Sequence, residues 1–175
     1  MSTPWALPTI ISQFSEPDAE AVHIAWDNSN NFNSLRNLDS GYIQTVQPLM
    51  HIARSPKHDL KNKTYYIRAS GFNFINLPAS FSGIELKLTT RRYGRITDET
   101  IQLCLDEVSI GDNMATLDLN PIKTYGGDSN KWGAEDLSIT NIINTSFGVV
   151  IRFQSHPNWP HRDPAFIGAV ELRIH

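Results

Sequence analysis

The sequence is poor in cysteine, and this scarcity limits its chemistry. Cys104 is the only cysteine among 175 residues, so neither an internal disulfide nor a metal site built from several cysteines can form. The composition therefore does not indicate a small secreted domain held together by disulfides. It fits a reducing compartment, or a large assembly that stabilises its members by burial.

Long apolar runs and an excess of positive charge are also absent. No stretch approaches the roughly 20 apolar residues of a membrane-spanning helix, and the N-terminus lacks the charged and apolar regions of a signal peptide. The formal net charge is −3, from 15 basic and 18 acidic residues. No overall positive field therefore attracts nucleic acid or anionic lipid, and we expect neither a membrane nor a specific nucleic acid as partner.

Motifs that carry catalysis or cofactor binding are missing or lack their context. The sequence has no glycine-rich nucleotide fingerprint. Asp98 and Glu99 are interpreted as ordinary exposed acids beside a turn. His156 and His161 share one loop and could approach each other, but a loop histidine is more often solvated than a metal ligand. We expect no catalytic residue, no cofactor and no metal, and hence no enzyme.

Period-two alternation of apolar and polar residues dominates the second half of the chain. Four such segments begin at Ile84, Ile101, Phe147 and Phe166, and this pattern is typical of half-buried strands. One face of each strand is expected to pack on the core and the other to meet solvent or a partner. Residues 134–144 form the single candidate helix. The sequence thus predicts an all-β fold, an antiparallel β-sandwich of the jelly-roll type with one short helix.

The first 40 residues differ from the rest of the chain. Three prolines interrupt them, and residues 27–33 are a run of turn formers. We predict an irregular N-terminal arm over residues 1–40 and a β-sandwich domain over residues 41–175. Trp5 and Phe14 make the arm too apolar for a free tail, so both are candidate partner contacts. The arm packs either on its own domain or on a neighbouring subunit.

Two later regions supply further candidate contacts. Arg91 and Arg92 lie in a basic turn that either contacts an acidic partner or nucleic acid, or forms a solvated hairpin end. Trp159 lies in a proline-rich loop, where an exposed ring can anchor a protein contact or stack on a sugar. The alternative for Trp159 is that the ring folds back and fills the end of the sandwich. For Trp132 this folded-back position is the preferred interpretation.

A series of motifs follows in order along residues 64–175. They are GFNF (71–74), LPASFSGIELKLTTRR (77–92), ITDETIQL (96–103), IGDNMA (110–115), YGGDSNKWG (125–133), FGVVIRF (147–153) and IGAVELRI (167–174). In this order they resemble a β-sandwich domain that recurs in virion proteins of tailed bacteriophages. The resemblance implies a structural part of a tail, neck or head surface, and it implies no catalytic residues. The first 60 residues lie outside it.

From these observations we expect a non-enzymatic structural protein of a phage virion, made in the cytoplasm of the bacterial host. It would assemble through sheet faces, loops and the N-terminal arm, as a neck or collar, tail or head-decoration part. Its partners would be other virion proteins and copies of itself in a homo-oligomer. The alternative is a carbohydrate- or receptor-binding module, because sandwiches with loop tryptophans bind glycans. A polysaccharide-degrading enzyme is the third hypothesis.

Overall fold

Strands account for most of the regular structure in the computed structural model. It describes residues 2–16, 21–27, 32–36, 38, 41–44, 51–53, 59–90, 96–116, 120–155 and 164–175. Along the chain the elements are β1 (Ile10–Phe14), β2 (Ala21–Ile24), α1 (Asn33–Arg36), β3 (Ile43–Gln44), β4 (His51–Ala53), β5 (Asp59–Thr64), β6 (Tyr66–Ser70), β7 (Ile84–Thr90), β8 (Ile96–Leu105), β9 (Val108–Ile110), β10 (Ile122–Gly126), α2 (Ile139–Ile142), β11 (Gly148–Ser155) and β12 (Phe166–Ile174).

These strands form two sheets. The large sheet has the order β1-β6-β11-β5-β2, with β8 paired to β11, β9 to β8 and β4 to β5. The small sheet has the order β10-β7-β12-β3. Among the described strands the pairings are antiparallel except that of β2 with β5, which is parallel. The predicted all-β, sandwich-like fold with a short helix is confirmed.

The predicted helix is shorter than its apolar pattern suggested. Only α2 is helical within residues 134–144. Ser138 caps it, because its hydroxyl accepts a hydrogen bond from the Asn141 backbone while the Asn141 side chain accepts one from the Ser138 backbone. Isoleucines make up half of α2, and β-branched side chains are restricted in helices, so this capping box matters for the single turn that forms.

The hydrophobic core lies between the two sheets. Fully buried residues of the small sheet are Ile84, Leu86, Leu88, Val170, Leu172 and Ile174, and those of the large sheet are Ile67, Ile101, Leu103, Val149 and Ile151. The strand register places Leu172 opposite Leu86 and Ile174 opposite Ile84. Inward side chains of both sheets belong to one apolar cluster, so the alternation read from β7, β8, β11 and β12 marks the core face.

The expectation that each strand turns its other face to solvent or to a partner is wrong for the central strands, where the chain itself covers that face. Val150 and Arg152 of β11, and Ala169 and Glu171 of β12, alternate with core residues but are themselves buried. Both strands lie inside their sheets with neighbours on either side, so adjacent side chains cover these positions. In β12 the alternation also shifts phase, because the register with β7 breaks between Ile167 and Val170.

The expectation of an irregular arm is corrected in its described part. Within residues 1–40, β1 pairs with β6 and β2 pairs with β5, since strand edges need partners for their backbone groups. Trp26 and Leu35 are almost completely buried in the core. The indole nitrogen of Trp26 donates to the carbonyl of Tyr65 at 2.9 Å. The arm therefore packs on its own domain in this structure.

Candidate functional site

A row of side chains crosses the outer face of the large sheet. Phe14 of β1 lies directly opposite Tyr66 of β6, and their rings stack with centroids 5.0 Å apart and planes 12° from parallel. On the other side of β6, the guanidinium carbon of Arg152 lies 4.4 Å from the Tyr66 ring centroid. Arg152 also donates to the Tyr66 hydroxyl at 2.7 Å. We call Phe14, Tyr66 and Arg152 the aromatic row.

The buried charge of Arg152 has an acidic neighbour. Its Nε lies 3.7 Å from Oε2 of Glu99, and the other Glu99 oxygen accepts from Lys63 Nζ at 3.1 Å. A ring nitrogen of His23 lies 3.2 Å from Nη2 of Arg152. One carboxylate thus lies near two cations, and such compensation is what a buried guanidinium requires.

A shallow groove of about 560 Å³ runs along this face. Phe14, Tyr66 and Arg68 line it on the arm side, and the turn between β8 and β9 borders it on the other side. Arg68 joins the two sides, because Nη1 lies 3.1 Å from the Glu107 carboxylate and Nη2 donates to the Glu107 carbonyl at 3.1 Å. The groove therefore presents aromatic, cationic and amide groups together.

The turn at the edge of the groove has an unusual backbone. Asp106 and Glu107 both have positive φ, 50° and 68°, which is the geometry of a two-residue type I′ hairpin and is usually occupied by Asn or Gly. The Ser146 hydroxyl donates to the Asp106 carboxylate at 2.6 Å, and the Asp106 backbone donates back to Ser146 Oγ at 3.1 Å. These bonds and the Arg68 contact hold the turn over the sheet.

Trp5 lies on the other sheet. Its ring lies 4.9 Å from Lys87 Nζ and 4.5 Å from the guanidinium carbon of Arg173. Both cations pair across strands, Lys87 with Glu171 at 2.7 Å and Arg173 with Glu85 at 2.6 Å. Trp5 is half-buried and covers part of these two ion pairs on the outer face of the small sheet.

The predicted partner contacts do not form one site. Trp5 and Phe14 lie against different sheets, each in contact with cationic side chains of its own chain. Arg91, Arg92 and Trp159 lie outside the described residues, so their roles stay predictions. Nothing in the sequence pattern indicates that Tyr66 and Arg152 are neighbours of Phe14. Only the lateral register of three strands brings these side chains together.

The interpretation of Asp98 as an exposed acid is wrong. Its carboxylate is fully buried and accepts from Lys123 Nζ at 2.8 Å and from the Tyr125 hydroxyl at 2.6 Å. Asp98 belongs to β8 and its two donors to β10, so the contact joins the large sheet to the small sheet. Lys123 is also a charged residue whose side chain points inward from β10, an edge strand of the small sheet. Inward-pointing charges on edge strands discourage edge-to-edge pairing with other chains.

Trp132 takes the folded-back position that the sequence favoured. Its ring is completely buried, and its indole nitrogen donates to the carbonyl of Ile84 at 2.9 Å. Gly126 leaves room for this ring, because a Cβ there would lie 2.3 Å from the indole nitrogen. The glycine-rich loop of residues 125–133 therefore serves the core and does not present Trp132 to a partner.

Cys104 carries a free thiol that is buried in the large sheet. Burial raises the pKa of Cys104 to about 11, so the thiol stays protonated at neutral pH and is a poor nucleophile. Within the described ranges, no three His, Cys, Asp or Glu side chains are placed to hold a metal ion.

Comparisons with known proteins add no relative. No protein-family model, no curated protein and no solved structure matches the chain. In the part of the chain that the structure describes, no helix is long and apolar enough to cross a membrane.

Proposed function

We propose that this chain is a non-enzymatic structural protein of a tailed-phage virion, a neck or collar, tail or head-surface part that assembles with copies of itself and with other virion proteins. The observation that carries the proposal is the order of the motifs over residues 71–174. That order resembles the β-sandwich domain of such virion proteins.

The backbone roles of the motif residues support the resemblance. Gly111 in the IGDNMA motif has a φ of 67°, a conformation that glycine adopts without strain. Gly126 accommodates the Trp132 ring, and Gly148 lies so close to β6 that a Cβ would come within 2.8 Å of the Ser70 Cα. These positions shape the sandwich, as expected of a signature that marks a fold.

Ion pairs between strands of the described residues also support a structural role. Glu85, Asp98 and Glu171 each pair with a cation on a neighbouring strand or on the other sheet. Such pairs hold strands in register and favour one arrangement over its alternatives. A scaffold that must present the same surfaces in every copy benefits from this specificity.

The test combines solution mass with particle composition. Light scattering after size exclusion should give a multiple of the 19.7 kDa chain mass. Mass spectrometry of purified phage particles from the host that carries the coding sequence should detect the chain in a symmetric copy number. A chain that stays strictly monomeric and is absent from the particles would refute the proposal.

The groove favours a second candidate, a carbohydrate- or receptor-binding module. Phe14, Tyr66 and Arg68 combine aromatic and hydrogen-bonding groups on one face, as sugar-binding surfaces do. Glycan-array binding by the purified chain, lost in Phe14→Ala or in Trp159→Ala, would support it. Ile122→Ala, at an exposed position of the other sheet, is the control. Absence of binding to host-surface glycans would eliminate this candidate.

A further inference from the structure

One continuous segment, residues 2–16, closes an edge of each sheet, and we call it the N-terminal strap. The Thr3 amide donates to the carbonyl of Ile174 at 2.8 Å, and the amide of Ala6 donates to the carbonyl of Leu172 at 2.7 Å. The edge of β12 that these bonds cover lies beyond its short pairing with β3. The strap therefore completes the small sheet at this end of β12.

The same strap also completes the large sheet. Strand β1 pairs with β6 over five residues, from Ile10 opposite Ser70 to Phe14 opposite Tyr66. At the start of this pairing, the Thr9 hydroxyl donates to the carbonyl of Gly71 at 2.8 Å. Without the strap, β6 and the end of β12 would each expose backbone groups, and unpaired edges recruit strands from other chains.

Hydrogen bonds hold most of the strap in place, and its apolar contribution to the core is small, from Ala6 and the partly buried Ile11. Of its side chains only those of Thr3, Ala6 and Pro8 are buried, and Ile10 is 50% exposed. Segments with few buried apolar contacts open at low free energy compared with global unfolding. Detaching the strap should therefore cost less than unfolding the sandwich, and it would leave the edges of β6 and β12 open to a strand from another chain.

We propose that copies of this chain exchange N-terminal straps when they assemble, so that residues 2–16 of one copy pair with β6 and β12 of a second copy. This inference rests on the proposed assembly function and names the partner of the strap as an identical chain. Exchange of an identical element keeps every contact and its register, so it links protomers at little energetic cost. The predicted partner contacts Trp5 and Phe14 then lie between copies.

A designed disulfide distinguishes the two positions of the strap. In a Cys104→Ala background, Ile10→Cys and Ser70→Cys place thiols on directly opposite residues. Antiparallel neighbours have Cα atoms about 4.5–5.5 Å apart, within the range that a disulfide spans. After oxidation, exchanged straps give covalently linked multimers on a non-reducing gel, whereas straps on their own chains give disulfide-bonded monomers.

Mixing single variants makes the test specific for exchange. Chains carrying only Ile10→Cys are unfolded and refolded together with chains carrying only Ser70→Cys, both in the Cys104→Ala background. A linked heterodimer is expected, because only an exchanged strap brings these two thiols together. Mixing Ile10→Cys with Val108→Cys, whose side chain is also exposed, measures adventitious oxidation.

Each outcome decides a different question. Multimers whose disulfides form only within chains overturn strap exchange and leave the assembly proposal standing. A chain that remains monomeric throughout overturns strap exchange, and the assembly proposal falls as well if that chain is also absent from purified particles. Thiols that stay free in the double variant contradict the pairing of Ile10 with Ser70, and strap exchange falls with that pairing.

Discussion

Replacing Asp98 with asparagine tests whether a buried ion pair ties the two sheets together. The substitution keeps the shape of the side chain and removes its charge. It leaves the Lys123 ammonium without its partner charge in a buried site, where the Lys123 side chain is 5% exposed and the Asp98 side chain 0% exposed. The Tyr125 hydroxyl, which now donates to Asp98 at 2.6 Å, retains a neutral acceptor.

The expected loss follows from the burial of both groups. Removing one partner of a buried pair costs about 3–5 kcal/mol, because the other charge stays without compensation. Folded domains have a total stability of about 5–15 kcal/mol. For a chain of this size each kcal/mol lowers Tm by about 2–4 °C, so Asp98→Asn should lower Tm by about 6–20 °C.

Urea denaturation of a double-mutant cycle measures this contribution. Lys123→Met should destabilise to a similar extent as Asp98→Asn, and the double variant should lose less than the sum of the single losses by about 2 kcal/mol or more. Glu135→Gln is the matched control. Its pair with Lys131 is 3.8 Å long and Glu135 is 76% exposed, so its effect should stay within about 0.5 kcal/mol.

The result that would refute this reasoning is additivity. If Asp98→Asn stays within about 1 kcal/mol of the parent and shows no coupling to Lys123→Met, the pair does not join the sheets. An unchanged m-value is required throughout, because a change in m signals an altered unfolded state rather than a lost contact.

Three further predictions concern the core. Gly148→Ala should lower the free energy of unfolding by about 3 kcal/mol, because the added Cβ overlaps the backbone of Ala69 and no flexible side chain there can move aside. An unchanged urea midpoint would contradict this close approach. Trp132→Phe should lower the free energy of unfolding by about 1–3 kcal/mol, because it removes the hydrogen bond to the Ile84 carbonyl. A near-ultraviolet circular dichroism spectrum that does not change would show that the indole is not held rigidly. The pKa of Cys104 lies near 11 in the folded chain and near its ordinary 9.0 when unfolded. A raised folded pKa contributes stability that is present below pH 9 and disappears as pH rises towards 11. Between pH 8 and pH 10 the parent should therefore lose about 1 kcal/mol more than Cys104→Ala. Equal losses would place the thiol in water.

Much of the fold could be predicted because its signal is local. Alternation at Ile84, Leu86 and Leu88 indicates both the strand and the face that it buries, since successive side chains of a strand point to opposite sides. The glycines near Trp132 favoured its return to the core over an exposed position. Each of these features depends on residues that are close together along the chain.

The candidate site could not be predicted in the same way. Asp98 is buried because Lys123 and Tyr125, on a strand of the other sheet, meet it across the core. Arg152 is buried because Tyr66 lies beside it on the neighbouring strand, far away in sequence. Alternation marks both residues as polar positions and contains no information about the side chains that will face them.

Local sequence patterns were sufficient to predict the all-β architecture and the core face of β7, β8 and β11, and they favoured the inward position of Trp132. Contacts between distant parts of the chain bring β1, β2 and the buried Trp26, all from the first 40 residues, into the sandwich. The same long-range contacts place Phe14 in the aromatic row and Trp5 over the ion pairs of the small sheet. The physical reason is that period-two patterning encodes the orientation of a side chain relative to its own strand. The identity of its neighbours depends on which distant strands pair, and in which register.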